Sequence, residues 1–174
     1  MQYAVKERTV TMDDAWDVIV AGGGPAGCAA AAAAARAGAR TLLLEASGAL
    51  GGMGTSGLVP WFCGYHNGRE HIARGLAEHV RLALRDGMPH LRLHMQHNPL
   101  TAPAIDPELL KRIYDDMVLD AGARVLFHSQ ICSVERTDDG AVDAVLVANK
   151  AGLTAYRARV YVDGTGDGDL AAWA

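Results

Sequence analysis

The chain has 174 residues, enough to bury one good core, so one domain or one plus a partial second is expected. Half of its residues are hydrophobic but only 6% are aromatic, which predicts a core of small side chains and closely packed elements. The formal charge of -4, with no run of lysine or arginine, argues against a nucleic-acid partner, whose phosphates require a basic face.

Three cysteines, Cys28, Cys63 and Cys132, are widely spaced with no CxxC pair, which suggests reduced thiols in a cytoplasm rather than a disulfide or zinc framework. The first twenty residues lack an apolar run after their basic residues, so no secretory signal is expected. The alanine run from Ala29 to Ala35 is too short to span a bilayer and ends at Arg36, so a soluble protein with no membrane partner is the expectation.

Residues 1 to 15 are polar and aperiodic and read as a loose N-terminal arm. Residues 17 to 21 (DVIVA) and 40 to 45 (RTLLLE) are continuous apolar runs, as expected of buried parallel strands, and 25 to 37 between them reads as a helix. This is a βαβ unit with a right-handed crossover. Residues 46 to 68 are glycine-rich and predict a long loop, the kind that is usually functional in a compact domain. From 69 to 86, Ile72, Leu76, Val80 and Leu84 recur every fourth position, as in an amphipathic helix.

Residues 87 to 105 hold three prolines and cannot form one regular element, although LRLHM (91 to 95) alternates like a short strand. Asp106-Pro107 then opens a helix with a capping carboxylate and a proline at its first position; Leu109, Leu110, Ile113 and Met117 face inward until Gly122. The tail is β-rich. RVLFHS (124 to 129) reads as a strand, ICSVER and AVDAVLVAN pair across Asp138-Asp139-Gly140, and LTAYRARVYVD returns after a turn around Lys150 to Gly152. The fold class is therefore α/β, a Rossmann-like βαβ parallel sheet with an antiparallel β-meander.

Gly22, Gly24 and Gly27 form GxGxxG where strand meets helix. The first glycine permits a tight turn, the second lets the backbone approach a pyrophosphate, and the third lets helix pack closely on strand. Free N–H groups at the helix start then hold the anion without a basic side chain. Glu45 follows Gly22 by 23 positions at the end of the second strand, where an acid takes ribose hydroxyls and disfavours a 2′-phosphate. This leaves FAD or NAD.

After Glu45 comes ASGALGGMGTSG, with the doublet Gly51-Gly52, and here the sequence resembles the FAD-dependent oxidoreductases of the glutathione-reductase-like superfamily. The resemblance implies FAD as cofactor. The doublet would let backbone approach it, Met53 and Thr55 would lead toward the flavin ring, and Pro25, Ala26 and Ala46 would join the cofactor contacts. A second resemblance lies in VYVDGTGDGDLAAWA, which looks like the "ATGD" segment following the meander in these flavoproteins. Thr165 and Gly166 would sit beside the first glycine loop, and Asp167 near the cofactor's polar portion. Backbone near Ile131 would lie beside the adenine.

A calcium loop competes for DGTGDGD through Asp163, Asp167 and Asp169, but no bidentate glutamate follows at the needed distance. His90, His94 and His97 suggest a metal only on a helix, which the prolines oppose, so no metal is expected. Cys28 reads as a packed thiol. Cys63 in WFCGYH is a candidate redox thiol, although without a second cysteine a small buried thiol fits better. His66 reads as a general acid or base or as a surface residue, and Trp61 and Phe62 as a cover for ligand or as core.

The resemblance spans residues 17 to 174, with 16 to 174 as the FAD-binding domain and 58 to 105 as a partial insertion near the flavin and substrate. Members of that family are much longer, and this chain stops eight residues after Gly166. The expectation is thus a C-terminally incomplete FAD-dependent oxidoreductase whose partner is the missing portion or a second copy in a homo-oligomer; the alternatives are an NAD-binding dehydrogenase domain and a non-catalytic fragment or interaction module. The substrate is a small molecule that these motifs do not identify.

Overall fold

A computed structural model describes residues 7, 9–91 and 104–174. Strands β2 (Val18–Ala21) and β3 (Thr41–Leu44) pair in parallel, Val18 opposite Thr41 and Ala21 opposite Leu44. Residues 19–21 and 41–44 are at most 2% exposed, so these strands are buried on both faces and need no polar alternation. Val20 and Leu43 point into a core shared with Cys28, Ala31 and Ala32 of helix α1 (Pro25–Arg36). Methyl side chains at Ala31 and Ala32 let that helix lie close on the sheet.

Strand β4 (Arg124–Leu126) adds beside β3, and β8 (Val160–Asp163) beside β2, giving a parallel sheet of order β4-β3-β2-β8. Helices α2 (Leu76–Gly87) and α3 (Pro107–Asp120) join α1 on one face, where Leu84 and Leu110 are fully buried. Each such leucine contributes about 1.5–3 kcal/mol of burial. The opposite face of the sheet, Ile19, Ala21, Leu42 and Leu44, packs on Ile131, Val145 and Val147 of a second sheet.

That sheet holds β1 (Thr11–Asp13), β5 (Gln130–Arg136), β6 (Val142–Asn149) and β7 (Gly152–Tyr156) in the order β1-β7-β6-β5. Strands β5, β6 and β7 form the expected antiparallel meander. A short helix, α4 (Asp169–Trp173), follows β8. Among the described residues no helix is long and apolar enough to cross a membrane.

The structure departs from the sequence reading in four places. Thr11 to Asp13, read as part of a loose arm, pair in parallel with Thr154 to Tyr156. The helix expected from residue 69 begins at Leu76, because Gly75 takes φ +64° and the chain before it folds back: the Ile72 N–H donates to Tyr65 O at 2.9 Å, leaving Ile72 54% exposed. The strand expected over 124 to 129 ends at Leu126, and His128 adopts φ +51°. LTAYRARVYVD is two strands in two sheets, since the Arg159 and Val160 N–H groups leave the meander to donate to Asp17 O. Most of LRLHM lies outside the described residues.

Candidate cofactor site

The sheet order reverses at β2: β3, the next parallel strand in the chain, lies on one side of it and β8, the last, on the other. In open α/β sheets a ligand binds at such a switch point, outside the carboxyl ends of the strands. An open cleft of about 140 Å³ lies there. It is lined by residues that follow all four parallel strands: Gly22 after β2, Glu45 and Ala46 after β3, Ser129 to Ile131 after β4, and Thr165 and Asp169 after β8.

The glycine loop is built by close approach. Gly22 takes φ +87° and donates to Leu44 O at 2.8 Å. A Cβ on Gly27 would collide with the Gly22 carbonyl oxygen, and a Cβ on Gly22 would strike the Gly164 backbone beyond β8. Helix α1 starts at Gly24 with Pro25 first, no side-chain cap and no acid in its first turn. Its leading N–H groups, at Ala26 and Gly27, have no acceptor within the helix; Ala26 is exposed and Gly27 is buried against Gly164.

Glu45 anchors this arrangement from β3. Its Oε2 accepts from the Gly23 N–H at 2.7 Å and its Oε1 from the Ser47 N–H at 2.6 Å. A carboxylate accepts about four hydrogen bonds, so lone pairs remain for ribose hydroxyls in the cleft. The doublet packs on the same loop: the Gly51 N–H donates to Gly23 O at 2.8 Å, and a Cβ on Gly52 would stand 3.2 Å from Gly24 Cα. Met53 projects outward at 65% exposure. Thr55 is buried and its hydroxyl donates to Leu50 O at 2.7 Å, so this side chain shapes the loop from within.

The turn after β8 is organised by Asp163. Its Oδ1 accepts from the Thr165 N–H at 3.0 Å and hydroxyl at 2.7 Å, and its Oδ2 from the Ala171 N–H at 2.8 Å. Those bonds hold its carboxyl below the usual range against a desolvation that raises it. Gly166 (φ +92°) and Asp167 are exposed, and it is Asp169 that lines the cleft. Among the described residues no group of three or more His, Cys, Asp or Glu side chains is disposed to hold a metal.

Of the other candidates, Cys28 is buried, donates to Gly23 O at 3.1 Å, and has its thiol pushed up to about 12 by burial. Cys63 is exposed, not the small buried thiol its sequence suggested, because the loop carrying it runs over the surface. His66 accepts from the Gly68 N–H at 3.1 Å and so holds the Asn67-Gly68 turn. Trp61 is 45% exposed, and Phe62 packs on Tyr65 with ring centroids 5.5 Å apart. His90 is exposed, while His94 and His97 lie outside the described residues. Sequence reasoning missed Gly23, Ser129, Gln130 and Asp169; only Gly23, the middle of three consecutive glycines, left a signal.

These features fit FAD: an uncapped helix start for its pyrophosphate, a carboxylate for its ribose, and glycines whose missing side chains leave room for backbone contact. No curated protein matches the sequence. The fold is similar to that of a geranylgeranyl bacteriochlorophyll reductase-like protein from Thermoplasma acidophilum, at TM-score 0.58 and 17% identity over 95% of this chain and 42% of that one. It is similar also to 3-ketosteroid-delta4-(5alpha)-dehydrogenase from Rhodococcus jostii RHA1, at TM-score 0.54 and 18% identity over 87% and 45% of the two chains. A third is p-nitrophenol 4-monooxygenase from Pseudomonas putida DLL-E4, at TM-score 0.56 and 14% identity over 88% and 41%. The chain spans less than half the length of each of these proteins. The family described as FAD dependent oxidoreductase matches residues 17–174, from the strand that feeds the glycine loop to the helix that follows β8. Its pattern thus runs through every wall of the cleft, and the chain belongs to the FAD dependent oxidoreductase family.

Proposed function

We propose that this chain holds FAD for an oxidoreductase acting on a small molecule, and that the cleft at the ends of the four parallel strands is where it does so. The observation that supports this best is the convergence on that cleft of Gly22, Glu45 and Thr165 from three different strands. The Ala26 and Gly27 N–H groups would take the pyrophosphate, Glu45 the adenosine ribose, and the backbone of Ala46 and Ile131 the adenine side. Gly51, Gly52, Met53 and Thr55 would carry the chain past the flavin, and Thr165, Gly166 and Asp167 would close the polar middle.

Bound FAD supplies hydride or electron transfer, while the residues of this chain bind it, orient it and exclude water around it. The -4 charge and three free thiols support a cytoplasmic setting with neither a nucleic-acid nor a membrane partner. Further polypeptide, as a C-terminal portion or a second copy of the chain, is the proposed partner that completes the substrate side; the length of the similar structures supports this.

Titration of the purified chain with FAD and, separately, NAD tests the reading. FAD is expected to bind with a perturbed flavin absorbance and NAD at least about tenfold more weakly, and Glu45→Gln is expected to weaken FAD by about tenfold, one charge-assisted hydrogen bond. A folded chain that takes up neither nucleotide, or that prefers NAD, overturns it.

A further inference from the structure

Helix α2 carries a buried arginine that the cofactor site does not use. Arg81 is 7% exposed, and its Nε is buried with no hydrogen-bond partner. Its ion-pair partner among the described residues is Glu78, whose Oε1 stands 3.8 Å from Nη2, too far for a hydrogen bond. That same oxygen accepts from Arg74 Nη1 at 3.3 Å, so its charge is shared with a second, exposed guanidinium. A guanidinium presents five donors in a planar fork, and burying one with its Nε donor unmatched is unfavourable unless an acceptor meets it.

The surroundings connect this arginine to the cofactor loops. The Arg81 charge acts on Tyr65, a buried phenol whose titration burial raises and Arg81 lowers. Tyr65 packs on Phe62, and Phe62 Cζ reaches to 4.0 Å from where a Cβ on Gly54 would stand. Gly54 lies in the loop that begins with the doublet. Tyr65 and Phe62 thus stand near both Arg81 and the loop that begins with the doublet.

We propose that Arg81 anchors a binding site for the carboxylate of a small ligand. The planar fork matches a carboxylate in two parallel bonds. Glu78 on the same helix disfavours a dianion, which selects a carboxylate over a phosphate. The proposal goes beyond cofactor binding and stands without it.

The test is NMR of the ¹⁵N-labelled full chain, with and without added FAD. The arginine Nε–H resonances are followed during titration with sodium acetate against sodium chloride at constant ionic strength. The Arg81 resonance is the one lost in Arg81→Lys. A saturable shift with acetate is expected, about tenfold weaker binding in Arg81→Lys, and phosphate at least about tenfold weaker than acetate. Glu78→Gln, which removes the competing acid, is expected to tighten acetate by about threefold and to lower the melting temperature unless acetate is added, which restores it. The proposal is overturned by an Arg81 resonance that does not saturate or that responds equally to chloride, by phosphate binding as tightly, or by unchanged acetate affinity in Arg81→Lys. A lower melting temperature in Glu78→Gln without acetate binding overturns it too, since that marks a structural ion pair. The titration of the unsubstituted chain decides even where a variant fails to fold. Flavin absorbance in the same samples reports cofactor uptake separately.

Discussion

At the scale of single residues, what distinguishes the site is where atoms are missing. Gly27 has no freedom to gain a side chain, because its Cβ would overlap the Gly22 carbonyl at the turn of the glycine loop. Gly27→Ala is therefore expected to destabilise the fold by about 1–3 kcal/mol, read from a denaturant midpoint, and to abolish FAD uptake even where the chain still folds. An unchanged midpoint would mean that helix α1 can move away from β2. The thiols make a second contrast. Cys28 is buried and pushed up to about 12, whereas Cys63 and Cys132 are exposed. Ellman's reagent at pH 8 is expected to label two thiols in the native chain and the third only after unfolding. Three rapid equivalents would show that the packing around α1 opens.

At the scale of elements, sequence was legible wherever a local device fixes the backbone. Helix α3 is the clearest case: Asp106 accepts from the Leu109 N–H at 3.0 Å and Pro107 begins the first turn, as its cap and proline predict. Asp106→Ala is expected to cost about 1 kcal/mol of stability, measured by urea denaturation, with the slope of the transition unchanged. A neutral substitution would mean that water or a neighbour replaces the cap. Helix α2 shows the opposite. The fourfold spacing from Ile72 extended through Gly75, yet the Asn67-Gly68 turn draws residues 65 to 73 into a folded-back segment, and the helix starts at Leu76, about two turns after the expected residue 69. A local turn signal outweighed an apolar period that happened to continue past it.

At the scale of the whole molecule, Asp17 ties strands that are far apart in the chain. Its carboxylate takes the Arg40 guanidinium at 3.1 and 3.2 Å and the Arg40 N–H at 2.9 Å, while its carbonyl receives Arg159 and Val160 at the entry to β8. The side-chain and backbone hydrogen bonds from Arg40 hold its carboxyl down at about 2. A free aspartate titrates near about 3.9, so this stabilisation is complete above that value and disappears as the pH falls through about 2. Asp17→Asn is expected to lower the melting temperature slightly at pH 7, the pair being largely exposed, and the difference is expected to close between pH 4 and pH 2. A difference that ignores pH would assign the effect to shape instead of charge. The βαβ unit, the meander, the glycine loop and Glu45 were all legible in the sequence, because each carries a local mark: a continuous apolar run, a turn dipeptide, a glycine spacing or an acid at a strand end. The pairing of Thr11 to Asp13 with β7, the switch of β8 into the parallel sheet, and the meeting of Ser129, Gln130 and Asp169 at the cleft were decided by the tertiary structure alone. These depend on backbone hydrogen bonds between residues remote in the chain, which the main chain makes whatever side chain it carries and which therefore leave no mark in the order of residues.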